Sequence, residues 1–286
     1  MNRRIFTDDQ NEKVFHRDGY VLFRGLLTAE DIDKIQSVCH QFVNEFSSSF
    51  HTTHFSRNSD YKLAAHQVIS EVAGKKIAEH LNQYLPLFGN FMVKKPDPDT
   101  SLDIHSDWTY VDENFFTSVA LWSPLVETTV ENGCLGVVKG SQRITNSIRG
   151  PLIRESSRNF NAYWADRFGT LLPMKAGDAI VYHHGFLHFS LANKTKALRP
   201  AINLTLVPQE ADIIHYCMPP DASSIEKYRV PDTSFYISYH HFERPNTRYF
   251  MEYISSEKVK FIDDKMKNYN WKRWFHLLKQ FVTRNP

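Results

Sequence analysis

From Pro86 to Pro208 the chain is cut into short β-branched and aromatic runs, and this succession restricts the possible folds more than any other feature. The runs extend from Leu87 to Lys94, Thr117 to Leu125, Cys134 to Val138, Leu171 to Met174, Asp178 to His184, Leu187 to Leu191 and Leu198 to Val207. Asn132-Gly133 is a hairpin signal just before the third. With helices expected mainly ahead of the runs, the pattern predicts a mainly β fold with flanking helices, a double-stranded β-helix (jelly roll, cupin-like) whose mouth holds a site. Two sheets of unrelated function are the alternative.

Two stretches about eighty residues apart lie among these strands, Ile104-His105-Ser106-Asp107-Trp108 and Gly185-Phe186-Leu187-His188-Phe189-Ser190-Leu191-Ala192-Asn193. Residues i and i+2 of an extended strand point to one face, so His105 and Asp107 offer an imidazole and a carboxylate to a single metal ion. A distant histidine completes the set. Two histidines and one carboxylate on one face of an ion form the facial triad of non-haem Fe(II) oxygenases, which leaves positions open for O2 and an oxidisable co-substrate. Leu187 to Leu191 reads as a strand, Asn193 to Lys196 as a turn and Leu198 to Val207 as a returning strand, which lets His188 and Arg199 face one cavity. Ile202, Leu204 and Leu206 fall on one face of the returning strand, and Arg199, Ala201, Asn203 and Thr205 on the other, the half-polar lining of a site. The planar fork of an arginine holds a carboxylate by two hydrogen bonds. Taken alone, Arg199 reads as an exposed strand-end residue, and the histidine spacing reverses that reading.

His-x-Asp/Glu is a weak pattern in a chain with 14 histidines and 32 acidic residues. His16-Arg17-Asp18 ends a short polar helix capped by Gly19 and is assigned to surface capping. His241-Phe242-Glu243 is followed by His276 alone, within what reads as an amphipathic helix, and is the weaker rival. His51, His54, His66 and His80 make no convincing second metal set.

The context of the first pair resembles the phytanoyl-CoA dioxygenase family of Fe(II)/2-oxoglutarate oxygenases, from about Phe15 to Pro208. The likeness is carried by Phe15-His16-Arg17-Asp18-Gly19-Tyr20-Val21, His105-Ser106-Asp107, Glu131-Asn132-Gly133-Cys134-Leu135, Lys139-Gly140-Ser141-Gln142-Arg143, Gly177-Asp178-Ala179-Ile180 and His188-Phe189-Ser190 with Arg199. It implies that His105, Asp107 and His188 bind Fe(II), that Arg199, eleven residues after the distal histidine, holds the far carboxylate of 2-oxoglutarate, and that Ser190 assists it. The family's Pro-Gly-Ser-His is Lys139-Gly140-Ser141-Gln142 here, a departure in a turn that leaves the ligand assignment untouched. In related oxygenases that halogenate, the position of Asp107 is a small residue, so the resemblance implies C–H hydroxylation of a small organic molecule with O2 as oxidant. Desaturation, cyclisation or epimerisation at the same site, and a metal-free, catalytically silent binding protein, are the alternatives.

The 286 residues, 42% of them hydrophobic, are ample for one domain: an N-terminal part (1–85), a core (86–208) with an insertion (143–168), and an extension (209–286). A formal charge of +2 without long basic runs gives no case for nucleic acid, and no segment approaches the ~18 apolar residues of a membrane span. The polar start and three scattered cysteines suit a reducing cytoplasm. Thr28 caps a helix whose stripe is Ile32, Ile35, Val38, Cys39, Phe42, Val43 and Phe46, bracing a sheet. Ser47 to Asp60 reads as a long loop, and Leu63 to Tyr84 as one or two helices with a break at Gly74. Lys94, just before the metal strand, and Trp122 are placed to face the site, Lys94 towards the co-substrate; ordinary surface and core are their alternatives. Either His183 or His184 could line the cavity, with core or surface the leading assignment for both. At the end, Trp271, Trp274, Phe275, Leu278, Phe281 and Val282 recur with helical spacing beside Lys272, Arg273, Lys279 and Arg284, a basic amphipathic helix that docks on its own domain, on a second copy in a homo-oligomer, or on a membrane surface.

Overall fold

Local signals set the first elements. α1 (Asp9–Asp18) is started by Asp8, whose carboxylate accepts the Asn11 N–H at 2.8 Å, and stopped by Gly19 at φ 87°, whose N–H donates to the Phe15 carbonyl. β1 (Tyr20–Phe23) follows, then α2 (Ala29–Gln41), where Thr28 and Asp31 close a reciprocal capping box. Ile32, Ile35 and Cys39 are buried as the stripe requires, but the helix ends at Gln41, so Val43 falls in a 3-10 turn and is exposed. The stretch from 47 to 60 is not all loop. It supplies β2 (Phe50–Thr52), whose polar composition hid it because a three-residue edge strand needs a backbone partner on one side only. α3 (Ser59–Ile69) runs through a π-helical turn (Ser70–Gly74) into α4 (Lys75–Ala78), so Gly74 does not break the chain; it makes room, since a Cβ there would lie 3.2 Å from Pro86 Cγ.

The computed structural model describes residues 3–145, 148–151, 153, 161–218, 224–240, 243, 245 and 251–258. Beyond α4 come β3 (Tyr84–Lys94), β4 (Leu102–His105), β5 (Val119–Pro124), β6 (Leu135–Val138), α5 (Asn161–Phe168), β7 (Gly169–Leu172), β8 (Ala179–His183), β9 (His188–Ser190), β10 (Arg199–Pro208), β11 (Ile214–Cys217), β12 (Ser224–Arg229), α6 (Thr233–Ser238) and β13 (Glu252–Lys258). The expected amphipathic helix from Trp271 to Val282 lies outside the described residues, as do His241 and His276. No helix among the described residues is long and apolar enough to cross a membrane.

The strands form the jelly roll. A six-stranded antiparallel sheet, β1-β8-β5-β10-β3-β2, faces a four-stranded one, β4-β9-β6-β7, with Tyr20, Ala120, Trp122, Leu135, Val137, Ile180 and Ala201 packed between them. The outer face of the large sheet is covered by α1, α2 and α3. There Ile202, Leu204 and Leu206 meet Ile35, Tyr61 and Ile69, while Asn203 and Thr205 point the other way, into the barrel. A third sheet, β11-β12-β13, packs with α6 and residues 108–111 at one end of the barrel. Asn132-Gly133 makes a turn but no hairpin, because β6 pairs with β7 and β9 rather than with β5. Gly133 is needed twice over. Its φ is 91°, and a Cβ would stand 2.5 Å from the Leu191 carbonyl at the end of β9.

Candidate metal centre

The ladder between β4 and β9 brings the two stretches together. His105 is the direct cross-strand partner of His188, and Val137 of β6 flanks His188 on its other side. β4 stops at His105, so Asp107 stands just beyond the strand rather than within it, yet its Oδ1 lies 3.9 Å from His105 Nε2 and 3.7 Å from His188 Nε2. One ligand atom from each of the three residues falls within 4.8 Å of the others. The second ring nitrogens fix the tautomers. His105 Nδ1 donates to the Asp103 carbonyl at 2.7 Å and His188 Nδ1 to that of Phe186 at 3.1 Å, which leaves both Nε2 lone pairs directed inward. Burial pushes His188 down to about 4, so its imidazole is neutral and available as a ligand at physiological pH. Burial alone would push Asp107 up, but His188, His184, His105 and the Tyr182 hydroxyl outweigh it and hold the carboxyl below its ordinary value.

The Lys139-Gly140-Ser141-Gln142 turn supports β9. Ser141 Oγ accepts the Leu187 N–H at 2.7 Å, one residue before His188, while the Gln142 amide donates to the His16 carbonyl at 3.1 Å and ties down the end of α1.

Two residues around Asp107 belong to none of the sequence motifs. Tyr182 donates to Asp107 Oδ2 at 2.8 Å and accepts from Asn203 Nδ2 at 3.2 Å, so one carboxylate oxygen is occupied and Oδ1 is left for the ion. Arg149 is fully buried; its Nε donates to the Asp107 carbonyl at 2.6 Å and its Nη1 and Nη2 reach Glu113 at 3.1 and 2.5 Å. The backbone of Arg149 also exchanges hydrogen bonds with Thr109, so one side chain and its peptide hold the whole loop after the metal strand. Tyr182 could have been found from alternation within Asp178 to His184, which places it on the face opposite Val181. Arg149 could not, because an arginine in a polar insertion reads as surface.

Farther into the barrel, β10 begins with Arg199 opposite Lys94 of β3. Arg199 is 2% exposed, its guanidinium carbon lies 5.7 Å from the Trp122 ring centroid, and its Nε and Nη1 have no hydrogen-bond partner among the described residues. Lys94 is fully buried, with Nζ donating to Ser190 Oγ at 2.7 Å and to the Leu191 carbonyl at 2.5 Å. Ser190, Arg199 and Trp122 line a cavity of about 240 Å³ together with His105, Asp107 and His188; Lys94 stands behind Ser190. Burial, then the charge of Arg199, pushes Lys94 down to about 6, and burial pushes Arg199 down to about 10. A buried guanidinium without a carboxylate, beside a lysine amine that burial keeps largely uncharged, is a costly arrangement, and one that an anionic ligand relieves.

Other candidates go elsewhere. His183 Nδ1 accepts the Gly185 N–H at 2.8 Å and His184 Nδ1 meets Ser118 Oγ at 2.8 Å; neither lines the cavity. His16 pairs with Glu12 and Asp18 with Arg17 on the outside of α1, and Glu243 pairs with Arg57.

Residues 15–201 match the family model described as phytanoyl-CoA dioxygenase (PhyH). The chain belongs to this family. Among relatives of this PhyH-family protein are the phytanoyl-CoA dioxygenase domain-containing protein 1 homolog of Dictyostelium discoideum, 22% identical over 70% of this chain and 91% of the relative, and the phytanoyl-CoA dioxygenase of Arabidopsis thaliana, 22% identical over 71% and 89%. Among solved structures, the non-haem alpha-ketoglutarate-dependent carbocyclase SnoK of nogalamycin biosynthesis superposes with a TM-score of 0.53 at 16% identity, covering 72% of this chain and 86% of SnoK. HygX of Streptomyces hygroscopicus, solved with nickel, 2-oxoglutarate and hygromycin B, gives 0.53 at 13% identity over 71% and 88%. At such identities the structural likeness speaks for the jelly-roll fold.

Proposed function

We propose that this PhyH-family protein is an Fe(II)- and 2-oxoglutarate-dependent dioxygenase that hydroxylates an unactivated C–H bond of a small organic molecule. The observation that carries the reading is the buried Arg199 guanidinium, whose Nε and Nη1 have no hydrogen-bond partner among the described residues, in the same cavity as the converging His105, Asp107 and His188. His105, Asp107 and His188 would hold the iron, and Arg199, assisted by Ser190, would hold the far carboxylate of 2-oxoglutarate. Lys94 would hold Ser190 from behind, and an anion beside Arg199 would favour the charged form of its amine. When bound, iron with O2 and 2-oxoglutarate supplies the oxidising power for an inert C–H bond.

The protein's own work is to prepare the site. Tyr182 keeps one oxygen of Asp107 occupied, Arg149 fixes the loop that carries it, and the Nδ1 hydrogen bonds of both histidines hold their Nε2 atoms inward. A carboxylate at position 107, where halogenating relatives carry a small residue, leaves no ligand gap for a halide. The names of similar structures, a carbocyclase and an epimerase, support cyclisation or epimerisation at such a site as the second reading. Mass spectrometry of the product formed under labelled O2 with chloride present separates the two. One incorporated oxygen-18 is expected; a chlorinated product, or one free of label, overturns hydroxylation.

A further inference from the structure

The cavity has two unlike ends, and the register of β10 on β3 sets their order: Arg199 opposite Lys94, Asn203 opposite Asn90, then Thr205 opposite Phe88. Six residues of strand separate Arg199 from Thr205, about 20 Å of travel. The first end is cationic. At the second, Phe88, Trp108 and Phe55 surround His54, with ring centroids 5.1, 4.8 and 5.5 Å from its imidazole. Burial pushes His54 down to about 3, so this imidazole carries no charge at physiological pH. The polar pair beside it is already satisfied, Thr52 Oγ1 donating to Asn90 Oδ1 at 2.9 Å.

Among the described residues lining the cavity, the ionised side chains are Asp107 and Arg199. The function proposed above commits both, so no other charged side chain of the described lining remains for the substrate. Phe55 sits on a 3-10 turn at the rim and leaves 45% of its surface uncovered. The volume of about 240 Å³ is below the ~300–1,000 Å³ of sites for drug-sized ligands, which favours a compact group over a long chain.

We infer that the Phe88–Trp108 end of the cavity takes an uncharged ring, aromatic or alicyclic, as the part of the substrate presented to the metal. The inference rests on the 2-oxoglutarate reading only in assigning the Arg199 end to the co-substrate. A ring stacks offset or edge-on against Trp108 and Phe88, whereas a carboxylate or phosphate placed there would lose its hydration without gaining a cation from the described lining.

The test uses the full-length protein loaded with nickel and saturated with 2-oxoglutarate, titrated with 2-naphthol, 2-naphthoate or hexadecanoyl-CoA and followed by tryptophan fluorescence and calorimetry. 2-Naphthol should bind at least about tenfold more tightly than 2-naphthoate, and Trp108→Ala should weaken it by about tenfold. Because Trp108 also packs within the protein, Phe55→Ala on the exposed turn is the second variant and should weaken 2-naphthol severalfold. Equal or tighter binding of 2-naphthoate or hexadecanoyl-CoA, or an unchanged 2-naphthol affinity in both variants, overturns the inference. Titration of 2-oxoglutarate into nickel-loaded protein is read separately. Failure there with the 2-naphthol preference intact removes the proposed co-substrate and leaves the ring subsite standing; the reverse result removes the ring subsite alone.

Discussion

His16-x-Asp18 and His105-x-Asp107 share a pattern and differ in the backbone beneath it. On α1, residues two apart point away from one another, so His16 turns back one helical turn to Glu12, 3.0 Å away, and Asp18 is taken by Arg17 at 2.8 Å. On β4 and just past its end the same spacing brings His105 Nε2 and Asp107 Oδ1 to 3.9 Å, and the neighbouring strand adds His188 from across the ladder. The first pair is wet and already paired. The second has its outer atoms occupied by Asp103, Phe186 and Tyr182, which leaves three inward atoms for one ion. A short metal motif therefore gains meaning from the strand that carries it and from a third ligand distant in sequence.

The sharpest way to break this comparison is to remove a ligand from each pair. His188→Ala or Asp107→Ala should abolish iron binding and iron-dependent succinate formation while circular dichroism stays that of the folded protein; His16→Ala should change activity by no more than about twofold, as for other surface substitutions. Full activity in His188→Ala would sink the triad. Next in size is Arg199→Ala. A buried dianion that loses its ionic partner forfeits roughly 3–5 kcal/mol, so the 2-oxoglutarate concentration for half-maximal turnover should rise by about two to three orders of magnitude. An unchanged requirement would transfer the role to Lys94.

Most of the strands and the His105, Asp107, His188 and Arg199 cluster were legible because both rest on local periodicity, which survives translation into a sheet. What escaped depended on contacts remote in sequence. β2 has a polar composition and is a strand only because β3 offers it a free edge. Asn132-Gly133 makes its turn, yet β5 and β6 enter different sheets, a topological fact that no dipeptide carries. Arg149 acts on Asp107 from 42 residues away, through a main-chain oxygen, and so has no motif to betray it. Lys94 lies where the strand register puts it, but Ser190 intervenes between its ammonium and the cavity.

A more modest way to sharpen the contrast is to loosen the loop around Asp107. Arg149→Met removes the donor to the Asp107 carbonyl and leaves Glu113 without its partner, and metal affinity should fall about 10- to 100-fold, as for other supporting residues of metal sites. Lower thermal stability with unchanged nickel affinity would reduce Arg149 to a packing role. Arg149→Lys, which keeps the charge but lacks the fork, should restore only part of the affinity.

The smallest expected effect is that of Tyr182→Phe, and it appears most clearly against pH. The Tyr182 hydroxyl is one of the groups that hold the Asp107 carboxyl below its ordinary value against the opposing pull of burial, so its removal raises the folded-state pKa. The sign follows from which form binds metal. Asp107 is a ligand only when ionised, above its folded-state pKa, and protons displace the metal as pH falls through that value. His188 takes up its proton at about 4, above the lowered value of Asp107, so on acidification the parent loses its metal through the imidazole before the carboxyl titrates. Near neutrality, where Asp107 is ionised with or without the tyrosine, the variant should lose no more than about tenfold in metal affinity, from the freed carboxylate orientation. In the metal-free protein the Asp107 carboxyl of the variant should take up its proton at a higher pH than that of the parent. Carboxyl NMR titrations of the metal-free proteins across the acid range decide it: superimposable curves would show that Tyr182 orients Asp107 without tuning it, and a variant curve shifted downward would reverse the assigned role of the hydroxyl.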